Sequence, residues 1–203
     1  MQDKKAYIIE KAFEVFVAKG YDSTSMTVLH QELNISRGAM YLYFPSKDDL
    51  FIAVIDKYIF GLLEKLQFDT KVNIEELSLT DRIDLSYKQM QKIGKFLDSI
   101  ENMEVKFLNY TALTIQAAKK YPDFIEKMKT YRDNSRKSWR KTLRKAVETG
   151  EIKEDADIDV LAKFFSKRTN FLVEESDEGS GFFIKGIKSG KKIVNYIYSL
   201  IKK

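Results

Sequence analysis

The sequence predicts an all-α protein of about nine helices, and three observations support this fold class. Only two of the 203 residues are proline, so long stretches of the chain contain no helix breaker. Apolar residues recur at intervals of three and four, which is the spacing of one face of an α-helix. Aromatic residues make up 13% of the composition, which is enough to build a core and argues against disorder.

The first two predicted helices are short and closely spaced. The first runs from Lys4 to Lys19 and ends at Gly20, which suits the left-handed position that closes many helices. The second follows Ser25 as its N-cap, and Asn34 tolerates the left-handed conformation of a tight turn. Two short helices joined by about three residues are typical of a helix-turn-helix.

The third predicted helix lies between two capped positions. The Ser36 hydroxyl can accept from the free N–H groups of its first turn, and Pro45 disfavours helical geometry at Phe44. Ser46 then caps a fourth helix, with Asp49 as its capping-box partner. A helix of about two turns is not stable alone, so neighbouring helices must hold it in place.

The remaining sequence predicts six helices that form a larger helical body. A polar connection at 67–79 follows the fourth helix, Thr80 is the expected N-cap of the fifth, and Pro122 fits the first turn of the seventh. The expected helices run approximately over 47–66, 80–97, 102–120, 122–149, 157–172 and 183–201. The prediction therefore divides the chain into an N-terminal region, 1–47, and a helical body, 48–203.

The distribution of charge does not by itself identify a function. A net charge of +5 permits a polyanionic partner without requiring one. Residues 1–47 hold six Lys/Arg against five Asp/Glu, whereas 119–145 hold eleven against three and 185–203 hold six against none. One interpretation is therefore a helical protein that binds an anionic membrane surface or an acidic partner through its basic seventh and ninth helices.

The residue types of many enzymes and cofactor sites are missing. Cysteine is absent, His30 is the only histidine, and neither a P-loop nor a strand-linked G-x-G-x-x-G occurs. Sites built only from Asp and Glu remain open, although no paired spacing of these residues stands out. We expect no enzyme, metal ion or cofactor. The lack of cysteine suits a reducing cytoplasm, and no apolar run is long enough to span a membrane.

The third helix carries residue types that bind DNA. Arginine makes bidentate contacts with guanine, small residues let the backbone approach the bases, and tyrosine hydroxyls and lysines bind phosphates. The expected base-facing residues are Arg37, Gly38, Ala39 and Leu42, and the expected phosphate-facing residues are Tyr41, Tyr43 and Lys47. The same residues are also compatible with a generic helical hairpin whose charged and tyrosine side chains are simply solvated.

Residues 5–55 resemble the N-terminal domain of the TetR family of bacterial transcription regulators. The resemblance rests on the order S-x-G-x-x-Y-x-Y-F-x-x-K-x-x-L from Ser36 to Leu50 and on the distance to the first helix. The matching residues are Phe13, Phe16, Gly20, Tyr21, Thr24, Ser25, Leu29, Ile35, Ser36, Gly38, Tyr41, Tyr43, Phe44, Lys47 and Leu50. Departures are His30 and Leu33, where alanines are usual, and Asn34, where glycine is usual. The rest of the chain is similar only in its helical layout.

The resemblance implies a ligand-responsive DNA-binding regulator, most commonly a repressor. The resemblance implies that Ser25 contacts a phosphate and that Thr27 reaches a base or a phosphate. The helical body would form a homodimer and enclose a pocket for a small-molecule inducer. Two recognition helices would then enter successive major grooves about 34 Å apart and read a palindrome in double-stranded DNA.

The candidate residues of the body have alternative interpretations. The expected ligand-binding residues are Tyr87, Met90, Phe107, Tyr110 and Trp139, which plain core packing would also explain. The expected dimer residues are Phe164, Phe171, Gly186, Gly190, Val194 and Ile197. Glycines one turn apart permit the close approach of a partner helix, or they only bend their own helix. The basic run of the seventh helix favours an anionic ligand, unless it is simply a solvated face.

Overall fold

The computed structural model describes residues 3–67, 72–98, 106–166 and 182–203. Within these ranges the chain is helical, and its only β feature is an isolated antiparallel bridge between Ile152 and Lys202. The all-α prediction is confirmed.

Ten α-helices and one π-helical segment make up the described ranges. They are α1 (Lys4–Lys19), α2 (Met26–Glu32), α3 (Arg37–Tyr43), α4 (Lys47–Ile55), a π-helix (Asp56–Phe60), α5 (Gly61–Gln67), α6 (Leu79–Asp98), α7 (Lys106–Lys120), α8 (Phe124–Glu148), α9 (Ile158–Ser166) and α10 (Phe182–Ile201). Because α4, the π-helix and α5 follow one another without a break, they correspond to the single fourth helix of the prediction. The predicted fifth to ninth helices are accordingly α6 to α10.

By internal packing the chain forms two compact units. The first consists of Met1–Glu64 and Ser99–Ile125, and the second of Lys65–Asp98 and Glu126–Lys203. The predicted boundary after residue 47 is a functional division and stays a prediction. Packing groups the start of the predicted body, including α4, with the first three helices.

The core of the first unit forms where α1 packs against α4 and α7. Aromatic rings dominate this core, because α1 directs two phenylalanines inward. The Phe13 ring stacks on Tyr58 with 4.0 Å between centroids, and the Phe16 ring meets Phe51 edge-on at 5.2 Å. This packed support carries the short helices α2 and α3.

The second unit has its own core, in which α10 packs against α6. The buried residues of this cluster are Leu79, Ile83, Tyr87, Met90, Trp139, Leu143, Ala146, Ile152, Leu161, Ala162, Phe165, Ile187 and Val194. Trp139 of α8 stacks on Phe165 of α9 with a centroid distance of 5.0 Å.

Two predicted helix starts in the body are wrong. Ser78, rather than Thr80, caps α6, because its hydroxyl accepts from the Asp81 backbone N–H at 3.0 Å. The first helical residue of α8 is Phe124, and the left-handed φ of 54° at Asp123 separates Pro122 from the helix. At the start of α6, Ser78 and Thr80 both have a hydroxyl that can cap a helix, so the sequence alone did not distinguish them.

Candidate nucleic-acid interface

Serine side chains start each of the three helices that build the interface. Ser25 Oγ accepts from the Val28 N–H at 3.1 Å, and Ser36 Oγ accepts from the Ala39 N–H at 3.2 Å. Ser46 Oγ accepts from the Asp49 N–H at 3.1 Å and donates to the Asp49 carboxylate at 2.6 Å. The three predicted N-caps are confirmed. They satisfy N–H groups that the first turn of a helix leaves without partners.

The turn between α2 and α3 depends on a left-handed residue. Asn34 has a φ of 51°, as predicted, and its N–H donates to the Gln31 carbonyl at 3.1 Å. The next N–H, of Ile35, donates to the His30 carbonyl at 3.1 Å. These bonds fix the direction in which the chain enters α3.

One face of α3 is anchored in the first unit and the other is open to solvent. Met40 is fully buried, and Phe44 just beyond the helix is almost fully buried. On the opposite side Arg37 is exposed, Tyr41 is 41% exposed and Leu42 is 80% exposed. An exposed leucine beside an exposed arginine is suited to a partner that offers both apolar and polar groups, as base edges do.

Gly38 lies on the same open face. A methyl group at this position would meet no other atom within 4 Å, so the packing of the protein itself does not require glycine here. Glycine inside a helix costs about 1 kcal/mol relative to alanine. A residue that weakens its helix without a packing reason points to close approach by something outside the chain.

We expect Gly38→Ala to stabilise the protein and to weaken DNA binding. The free energy of unfolding should rise by up to about 1 kcal/mol, because alanine is the better helix former. DNA affinity should fall, because the added methyl group would occupy space between α3 and the bases. Chemical denaturation and DNA titration measure the two effects. The control Ala112→Gly, at an exposed position of α7, should lower stability and leave DNA affinity unchanged. Full affinity in Gly38→Ala would mean that DNA does not approach this residue.

The other predicted DNA contacts vary in exposure. Ser25 and Thr27 are exposed, whereas Ala39, Tyr43 and Lys47 are only partly exposed. Lys47 already has partners within the chain: its Nζ donates to the Tyr21 carbonyl at 3.0 Å and lies 3.8 Å from the Tyr21 ring centroid. Burial lowers the pKa of Lys47, with Asp22 opposing and Lys120 adding to this effect. Its phosphate contact stays a prediction, and its observed role is to hold α4 against the turn after α1.

Tyr21 connects α7 to the start of α4. Its backbone N–H donates to Gln116 Oε1 of α7 at 2.9 Å. Its hydroxyl donates to the Asp48 carboxylate in the first turn of α4. Its ring packs edge-on against Phe51 at 4.6 Å. Sequence reasoning matched Tyr21 to the family but missed Gln116, because a contact across 95 positions leaves no local signal.

The predicted ligand-binding residues do not form one observed cluster. Tyr87, Met90 and Trp139 lie in the buried core of the second unit, as the plain-core interpretation proposes. Tyr110 lies in the first unit, where its hydroxyl donates to the Tyr58 carbonyl at 3.2 Å and burial raises its pKa. The side chain of Phe107 lies outside the described part of the structure. A ligand role for these residues stays a prediction.

The predicted dimer residues on α10 face inward for the most part. Gly186 and Gly190 are buried, and Val194 is fully buried in the core of its own unit, where α10 packs against α6. Its own chain already covers Val194 in this conformation, and an interface role for Gly186, Gly190 and Val194 stays a prediction. Phe164 and Ile197 are half-buried, and Phe171 lies outside the described residues. Among the described side chains of α10, the large apolar ones that are exposed are Tyr196 and Leu200, at 65% and 52%.

Several basic side chains of α8 form ion pairs or hydrogen bonds within the chain. Lys141 Nζ lies 2.7 Å from a Glu75 carboxylate oxygen, and Lys145 Nζ donates to the Glu75 and Glu76 carbonyls. Arg140 pairs with Asp159 of α9. These contacts weaken the interpretation that α8 is a free basic surface for a membrane or an acidic partner. No helix in the described ranges is both long and apolar enough to cross a membrane.

The two capped helices, the fixed turn and the exposed face of α3 define a helix-turn-helix DNA-binding domain on a helical support. The sequence pattern of the bacterial regulatory proteins of the tetR family matches residues 8–54. Residues 8–54 therefore match the DNA-binding domain of this family, which confirms the resemblance seen in the sequence.

Known proteins support this assignment. YuxN of Bacillus subtilis (strain 168), an uncharacterized HTH-type transcriptional regulator, is 32% identical over 123 residues, covering 59% of this chain and 41% of YuxN. YfiR of the same organism, also an uncharacterized HTH-type transcriptional regulator, is 24% identical over 173 residues, covering 85% of this chain and 80% of YfiR. The match thus spans less than half of the length of YuxN.

A solved structure has a similar fold. A protein from Saccharomonospora viridis, described as a transcriptional regulator and solved in complex with choline, matches with a TM-score of 0.67. The match covers 100% of both chains at 15% sequence identity. Such a low identity establishes the fold alone.

Proposed function

We propose that this protein is a ligand-responsive transcriptional repressor that binds a palindromic operator as a homodimer. A small-molecule inducer would release it from the DNA. The observation that carries the proposal is the exposed face of α3, which Ser36 caps and the buried Met40 anchors. The proposal includes no catalytic activity, and it places the protein in the cytoplasm, where bacterial DNA lies.

In the proposed complex the first turn of α3 faces the bases of the major groove. The guanidinium of Arg37 would donate two hydrogen bonds to a guanine, and Leu42 would contact a thymine methyl group. Tyr41, with Ser25 at the start of α2, would bind phosphates and set the register of α3. The residues of α3 that take part are exposed before DNA binds, so the complex requires no unfolding of this helix.

We propose that the dimer interface includes the exposed side of α10. Tyr196 and Leu200 are large apolar residues that the described part of their own chain leaves exposed. Half-buried Ile197 lies between them in sequence and would be covered further by a partner. Tyr196 and Leu200 add to the predicted α10 interface two positions that the sequence did not single out.

We expect a combined Tyr196→Glu and Leu200→Glu variant to be monomeric. Placing two negative charges on an apolar interface leaves them desolvated and unpaired, which opposes association. Sedimentation velocity of the wild-type and variant proteins measures the oligomeric state. Ile125→Glu, at another exposed apolar position, is the control and should stay dimeric. A dimer in the double variant would exclude this face of α10.

Release by an inducer follows from linkage between two conformations. In one conformation of the body the two recognition helices have the spacing of the operator, and in the other they do not. A ligand that binds the second conformation more tightly lowers operator affinity by the same factor by which it prefers that conformation. The similar fold that holds choline supports a small-molecule site. Within the first unit, the bond from Tyr21 to Gln116 offers a route by which α7 affects the position of α4.

Selection of bound sequences from a random DNA library tests the proposal directly. The expected result is a palindrome whose half-sites lie one helical turn apart, or a multiple of one turn. The selected site should then bind the purified protein in a titration at controlled salt concentration, because nonspecific affinity falls steeply with salt. Binding to a single asymmetric site would contradict the homodimer, and failure to select any sequence would contradict the proposal as a whole.

A further inference from the structure

Arg82 of α6 is a buried cation in the core of the second unit. Only 6% of the surface of Arg82 is exposed to solvent. The partners that the described residues provide are neutral oxygen atoms and an aromatic ring, and no carboxylate among them lies within ion-pair distance. Burial lowers the pKa of Arg82 to about 10, so the side chain still carries its charge at neutral pH. A buried charge without an opposite charge is unfavourable in a protein interior.

The hydrogen bonds of Arg82 use one edge of its guanidinium. Nη1 donates to the Ser138 carbonyl at 2.8 Å and to Thr142 Oγ1, and Nη2 donates to Ser138 Oγ at 2.8 Å. A guanidinium has five N–H donors in a planar fork. Because Ser138 accepts from both Nη atoms, the edge between them faces Ser138. The Nε–H and the second N–H of Nη2 have no acceptor in the described ranges, and Nε is not among the fully buried side-chain atoms that lack a partner.

The remaining edge has the geometry that binds a planar oxyanion. Two parallel N–H groups match the two oxygens of a carboxylate. Trp139 lies against the face of the guanidinium, with 3.9 Å from Cζ to the ring centroid, so the plane of the fork is held in one orientation. Ser138 and Thr142 on α8 fix the opposite edge, and the fork is therefore pre-organised.

Arg82 provides one unpaired positive charge, which favours a ligand with one negative charge. Lys191, the cation near the ring of Tyr87, pairs with Asp84 at 3.1 Å and is therefore already neutralised. The core cluster that contains Trp139, the residue beside Arg82, consists of apolar and aromatic residues. One arginine neutralises one carboxylate, whereas a phosphate dianion would leave charge uncompensated in apolar surroundings.

We propose that Arg82 binds the carboxylate of a small molecule whose apolar part lies against the aromatic and apolar side chains beside it in the second unit. This inference names the chemical class of the inducer, and in that sense it rests on the proposed regulatory function. It adds a residue that the sequence did not single out, in a region where Trp139 had been expected to contact a ligand.

The single tryptophan of the chain makes the site directly observable. Trp139 is the only tryptophan among 203 residues and lies beside Arg82, so the fluorescence of the protein responds to changes around Arg82. The probes are sodium hexanoate, sodium decanoate and sodium 3-phenylpropionate, each compared with its neutral amide and with inorganic phosphate. At least one carboxylate should change the emission of Trp139 saturably. Its amide and phosphate should bind at least about tenfold more weakly.

Variants of Arg82 test the role of the fork. Arg82→Gln should abolish the saturable response. Arg82→Lys keeps a positive charge without the fork and should weaken the response by at least about tenfold. The control Arg144→Gln changes an exposed arginine of α8 and should respond like the wild type. Circular dichroism establishes that each variant is folded, and Arg82→Lys remains informative if Arg82→Gln unfolds.

Three outcomes would overturn the inference. They are the absence of a saturable response to all three carboxylates, equal binding of acid and amide, and unchanged binding in folded Arg82→Lys. The titrations contain no DNA, so they are independent of operator binding. A protein that selects a palindrome but ignores carboxylates contradicts only this inference. A protein that binds carboxylates through Arg82 but selects no DNA sequence contradicts only the proposed function.

Discussion

Replacing Arg37 by alanine is expected to weaken operator binding by about 1–3 kcal/mol, or roughly ten- to a hundredfold. The reason is the loss of a bidentate contact with guanine, the most discriminating contact that a single side chain of α3 can make. The variant should also tolerate base changes at the position that Arg37 reads. Fluorescence anisotropy with the selected operator and with single-base variants of it measures both effects. Thermal stability should be unchanged, because Arg37 is exposed.

Arg144→Ala is the matched control for this experiment. It removes the same charge from an exposed position of α8, so the general electrostatic attraction to DNA changes equally. Operator affinity should stay close to that of the wild type. If both variants lost the same affinity, DNA binding would depend on overall positive charge. The basic helices, rather than α3, would then be the binding surface.

Met40→Ala is expected to lower the free energy of unfolding by about 2–5 kcal/mol. Met40 is fully buried and anchors α3, so shortening its side chain leaves a cavity under the recognition helix. Urea denaturation followed by circular dichroism measures the change in stability. Operator affinity should fall as well, because a loosened α3 no longer presents its exposed face in a fixed orientation.

Met40→Leu distinguishes the loss of buried volume from the loss of the methionine side chain itself. Leucine keeps most of the buried volume, so this variant should lose less than about 1.5 kcal/mol and should retain operator binding. A Met40→Ala protein as stable as the wild type would mean that α3 is not anchored through this residue. Loss of binding in both variants at unchanged stability would indicate that Met40 itself is near the DNA.

The recognition region combines a rigid support with an exposed apolar residue. Phe16, Tyr21 and Phe51 pack their rings together beneath the short helices, and capped helix starts remove freedom from the chain between them. Leu42, in contrast, is largely exposed. An arrangement that leaves leucine in water is unfavourable for the free protein and favourable once a partner covers it. In the proposed DNA complex, the DNA would cover Leu42 and remove its side chain from water.

The sequence by itself determined the fold class and the local structure of the recognition region. The first helix has its predicted bounds, Ser25, Ser36 and Ser46 cap the next three helices, and Asn34 takes its left-handed conformation. These features could be predicted because they depend on residues no more than about four positions apart. Periodicity likewise depends only on the geometry of one helix.

Only the tertiary structure decided which surfaces face a partner and which are already covered. Val194 had the spacing of an interface residue, yet it lies in the core of its own unit, while Tyr196 and Leu200 stay exposed. Arg82 reads as an ordinary helix residue until Ser138, 56 positions away, accepts its hydrogen bonds. A single helical pattern identifies an apolar face but not the element that packs on it. The neighbour comes from a distant part of the chain, and only the folded arrangement identifies it.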